Sequence, residues 1–166
     1  MKIQKIAALL LMLCVPITAL CQTSAPASAW QTSWDAFLTL VEKELNRLPP
    51  NAPGPWEGKE VTWEGTVQDM EVMTAKSLVR LVFDMPERTL SIKGKPVTAG
   101  RVMIFVPMTY ENLGGGQLAF QKGTKLRFKT TIAPLDADHR AVVAETSKES
   151  GKSFLLVFTK GGTLLK

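Results

Sequence analysis

Polar and apolar positions along this chain follow two different periods, and the change falls near residue 58. Before it, Trp34, Phe37, Leu38, Val41, Leu45 and Leu48 recur at three- and four-residue spacing, which lines them along one helical face. Glu42, Lys43, Asn46 and Arg47 take the opposite face. Thr32 or Ser33 can cap the start, and Asp35 stands three residues after Thr32 as a short-armed capping box. Pro49-Pro50 ends the helix, since neither proline can donate the next helical hydrogen bond. The pattern predicts an amphipathic helix over 32–50. Its stripe is most simply the face packed on the rest of the domain, and the alternative is a docking helix for a partner.

Asn51 to Gly58 is a stiff Pro- and Gly-containing linker that carries Trp56. Beyond it the period falls to two. In Lys59 to Met70, Val61, Trp63, Gly65 and Val67 share one side, while Thr62, Glu64, Thr66 and Gln68 share the other. A glycine in mid-strand marks a bend or bulge, as strongly coiled sheets need. Further strands are expected at Ser77–Met85, briefly at Thr89–Ile92, at Arg101–Met108, Thr124–Ile132, Ala141–Glu145 and Phe154–Thr159. Pro86-Glu87-Arg88, Lys93–Pro96 and Lys122-Gly123 read as turns between them, and Gly114-Gly115-Gly116 reads as a loop. A helix followed by short strands, with nothing helical between them, excludes a parallel α/β sheet and points to a β-barrel or sandwich.

The first residues change the picture of where such a domain works. Lys2 and Lys5 precede an almost wholly apolar run from Ile6 to Leu20, long enough for a signal peptide and short of a membrane span. Small residues place a cut before Gln22 or before Trp30. The expected organisation is a signal peptide at 1–21, a tether at 22–31, the helix at 32–50 and a β-domain at 51–166. The expected location is periplasmic or secreted. Cys21 leaves lipid anchoring open as the lesser alternative, because Leu20 stands where lipoproteins carry a small residue. Cys14 and Cys21 both fall in or beside the signal, so the remaining domain has no disulfide and no thiol chemistry. Of the formal +5 charge, two lysines belong to the signal, leaving 18 basic residues against 15 acidic. That balance identifies no partner by itself.

Gly58-Lys59-Glu60-Val61-Thr62-Trp63-Glu64-Gly65-Thr66-Val67 resembles the first strand of OB-fold domains, where a glycine lets one long strand serve both halves of the barrel. Gln121-Lys122-Gly123-Thr124-Lys125-Leu126-Arg127-Phe128 resembles the turn and fourth strand of the same fold. The resemblance implies a mainly β, small OB-like barrel of five or six strands with one N-terminal amphipathic helix. The Thr89–Gly100 segment is longer than a simple second-to-third-strand hairpin requires.

Chemistry is sparse. His139 is the single histidine, and with Asp136 and Asp138 it offers too few ligands for a metal, so a solvated turn is the simpler reading. Ser150-Gly151-Lys152-Ser153 lacks the upstream glycine of a phosphate loop, and no G-x-S-x-G is present. No enzyme, cofactor or metal is expected. Candidate ligand-binding residues are Lys122, Lys125, Arg127 and Lys129, which follow the outward parity of one strand, together with Trp56 and Tyr110. The expectation is a non-enzymatic, exported binding module of the bacterial periplasm or envelope, for a protein or cell-wall-type partner. The alternative is an oligonucleotide-binding OB domain that uses the basic strand face. Oligomeric state is open.

Overall fold

The computed structural model describes residues 27–49, 52–109, 121–134, 142–147 and 151–165. The expected signal peptide, the first half of the tether, Tyr110, the glycine triplet and the Asp136–His139 segment lie outside them. Among the described residues two α-helices, α1 (Ala29–Thr32) and α2 (Trp34–Arg47), precede seven strands: β1 (Glu60–Met73), β2 (Leu78–Ile92), β3 (Lys95–Pro107), β4 (Lys125–Ile132), β5 (Val142–Thr146), β6 (Ser153–Val157) and β7 (Thr159–Leu165). The expected helix is thus shorter, and its cap is Ser33, whose side chain accepts from Ala36 N. The capping box falls one turn earlier, between Ser28 and Gln31 at α1.

All seven strands form one sheet in the order β5-β6-β3-β2-β1-β4-β7. It curls into an OB-like half-barrel until β7 lies against β3. Thr159 Oγ1 donates to the Met103 carbonyl at 2.9 Å, and a Cβ on Gly162 would stand 3.1 Å from Ile104. β1 makes the curl possible, as its central glycine suggested. Residues 60–66 pair with β4 and residues 66–73 with β2, so the strand changes neighbours beside Gly65. A Cβ on Gly65 would meet Met85 Sδ at 2.7 Å and the Asp84 carbonyl at 3.1 Å, an approach that glycine makes without strain.

The turn expected at Pro86–Arg88 is a bulge inside one continuous β2, where the register with β3 shifts between Asp84 and Arg88. Proline fits there because a bulge leaves a residue out of the ladder. The true turn is Lys93-Gly94, both with positive φ (51° and 75°), and β3 begins directly after it, at Lys95. The long Thr89–Gly100 segment is therefore hairpin. The strand count rises to seven because β7 follows β6 after a break at Phe158. Glycines at 161 and 162 hide β7 from a reading by hydrophobic alternation.

The core lies between α2 and the concave side of the sheet. Phe37 is fully buried among Trp30, Trp34, Trp56 and Trp63, with ring centroids 4.8–6.2 Å apart. α2 also closes an open sheet edge, since β1 does not reach the outer half of β2. Glu42 Oε1 accepts from Ser91 N, while Asn46 accepts from Lys93 N and donates to the Ser91 carbonyl. Covering an edge in this way removes a template for unwanted strand pairing. Arg88 completes the clasp, reaching Asp35 at 2.9 Å and Glu42 at 3.2 Å.

Candidate functional site

β4 presents Lys125, Arg127 and Lys129 on the outer face of the half-barrel, about 7 Å apart by strand rise. The inward parity goes to Phe128, Thr130 and Ile132, which are buried. The cations therefore point out because the apolar residues between them must point in. Lys125 Nζ lies 2.6 Å from Glu64 Oε1, and Lys129 Nζ lies 2.8 Å from Glu60 Oε1. Both pairs run diagonally, since the register partners of these lysines are Thr66 and Thr62. Arg127 stands opposite Glu64 and makes no ion pair among the described residues. Exposed pairs of this kind contribute about 0–1 kcal/mol, so either lysine can exchange its carboxylate for another anion. Lys122 is exposed in the turn that enters β4, beside Gly123 with φ 90°.

The two aromatic candidates do not join this face. Trp56 is 2% exposed and packs edge-on against Phe37, with Gly54 seated against its indole. Its ring is core, which corrects the expectation of a ligand contact. Tyr110 lies outside the described residues.

Sheet register extends the basic strand sideways. Lys125 pairs with Thr66, Thr66 with Asp84, and Asp84 with Arg101, so four outward residues form one row across β4, β1, β2 and β3. At about 4.8 Å per strand the row runs roughly 14 Å along the sheet. It ends in a groove of 610 Å³ between the β2–β3 bend and β6. The groove carries Met85, Phe154 and Leu156 together with Asp84, Glu87, Arg101 and Lys152. Arg101 Nε lies 3.3 Å from Asp84 Oδ1. Glu87 has no ion-pair partner among the described residues, and its side chain lies 3.5 Å from where a Gly100 Cβ would be. The sequence reading missed this groove because β3 and β6 meet there from distant parts of the chain. A local signal existed in Pro86 and Gly100, the proline in the bulge of β2 and the glycine beneath Glu87 on β3.

Among the described residues, no group of three or more His, Cys, Asp or Glu is placed to hold a metal ion. None of their helices is long and apolar enough to cross a membrane. No family model matches the chain, and no curated protein matches it. Among solved structures, the chain is similar to a small single-stranded DNA-binding protein from Mycoplasma pneumoniae, at 11% identity and a TM-score of 0.27. The match covers 64% of this chain and 91% of that one. No residue role is carried over from it. The leading expectation, an exported module for a protein or cell-wall-type partner, is corrected at this point. The solved structure from Mycoplasma pneumoniae is named as a DNA-binding protein and not as an envelope or cell-wall module.

Proposed function

We propose that this chain binds single-stranded nucleic acid without catalysis, holding the phosphate backbone on the outer face of β4. The observation that carries the reading is the row of Lys125, Arg127 and Lys129 at two-residue spacing, faced among the described residues by Glu60 and Glu64. An extended single strand laid along β4 meets one cation per step, and its phosphates replace Glu60 and Glu64 as partners. Such binding is electrostatic and tolerant of sequence. The export expected from residues 1–21 would put this ligand outside the cytoplasm, which a leader–reporter fusion and cell fractionation would check.

Fluorescence anisotropy with a labelled dT12 tests the reading. Three neutralised phosphates give a single-strand salt slope near −2, so affinity should fall about 20-fold between 50 and 200 mM salt. The K125A/R127A/K129A variant should lose that salt-dependent binding and keep the wild-type melting curve. No binding at 50 mM salt, or unaltered binding by the triple variant, overturns the proposal.

A further inference from the structure

The groove at the end of the outward row has a chemistry that the basic strand does not. We infer that it receives one base of the bound strand and favours a base carrying an exocyclic amine, with Glu87 as the reader. The inference rests on the oligonucleotide reading and adds selectivity to it. Three observations converge. The register row Lys125–Thr66–Asp84–Arg101 leads from the phosphate-binding strand to the groove and has a cation at each end. The groove, at 610 Å³, offers the half-buried Phe154 and Leu156 as apolar surface for a planar ring. Beside that surface stands a carboxylate outside any ion pair among the described residues: Asp84 is held by Arg101, whereas Glu87 rests over Gly100, with Lys152 elsewhere in the lining.

A carboxylate lining a groove that receives a base is matched best by a hydrogen-bond donor on that base. Phosphates and carbonyl edges repel it, and an amino group does not. Acidic side chains accept from the cytosine N4 amine. Uracil presents a carbonyl oxygen at the same position. The two pyrimidines stack similarly, so a difference between them reports the hydrogen-bonding edge, an amine beside an N3 acceptor in cytosine against a carbonyl beside N3–H in uracil.

The experiment compares labelled dC8 and dU8 by anisotropy at one low salt concentration, with wild type and Glu87→Gln. A single hydrogen-bonded edge gives a preference for dC8 of about fivefold or more. In Glu87→Gln the preference should collapse toward unity, chiefly because dU8 binds better. Glu87 is exposed, so the variant should fold, and an unchanged melting curve checks that. Equal binding of dC8 and dU8 by the wild type overturns this inference and leaves the oligonucleotide reading standing. So does a cytosine preference that survives in Glu87→Gln. Absence of binding by either oligomer overturns both.

Discussion

On its inner face β1 sets Val61, Trp63 and Val67 against α2 and its neighbouring strands. On its outer face the same strand sets Thr62, Glu64 and Thr66 beside the cations of β4 and the Asp84–Arg101 pair of β2 and β3. The inner face is ordered by burial, which has no direction and rewards any good packing. The outer face is ordered by register, which fixes which charge stands beside which at small energetic gain. Stability should therefore depend on the first face and ligand affinity on the second, and substitutions can separate them. Phe37→Ala is the largest break. It empties the centre of the tryptophan cluster and should lower unfolding free energy by about 3–5 kcal/mol, read from the urea midpoint. The fraction still folded should bind dT12 as the wild type does. A comparable loss of affinity in that fraction would show that the faces are not separable.

Gly65 is where the two faces meet. A methyl there presses on Met85 Sδ, which can move, and on the Asp84 carbonyl, which belongs to the ladder. Gly65→Ala should cost about 1–3 kcal/mol as an overpacked site. Unlike Phe37→Ala, it should also weaken oligonucleotide binding, because Asp84 sits in the outward row beside Thr66. Urea titration and anisotropy on the same preparation measure both effects. A stability loss with affinity untouched would mean that the row can shift without consequence.

The same contrast explains what could be read from the sequence. Alternation in Val61-Thr62-Trp63-Glu64 and in Leu126-Arg127-Phe128-Lys129 encodes an inner and an outer parity, so both strands and the direction of their charges were legible. The bend at Gly65 was legible because a glycine between large apolar residues has few other uses. Pro86 misled, since proline marks a turn and a bulge alike. β7 was hidden by Gly161-Gly162, which leave no alternation to read. Trp56 stood among the candidate contacts because an isolated tryptophan beside prolines gives no parity, and the seated helix shows that it is core. The groove was not legible. It depends on Thr98 meeting Phe154, a parallel pairing between residues far apart in sequence, for which no local pattern exists.

The smallest expected effect probes the outer face most directly. Glu60 and Glu64 hold Lys129 and Lys125 in exposed pairs, so a phosphate that takes either lysine must first displace a carboxylate. Glu60→Gln with Glu64→Gln keeps side-chain size and removes both competitors. Stability should change by about 1 kcal/mol or less, since exposed pairs of this kind contribute little. Affinity for dT12 at 50 mM salt should rise by about twofold to tenfold, the binding equivalent of releasing two such pairs. The gain should shrink at 200 mM salt, where phosphate attraction is screened. Binding that weakens in this variant would mean that the carboxylates position the lysines for the strand, and the β4 face would then act as an ordered array of pairs in place of a simple row of cations.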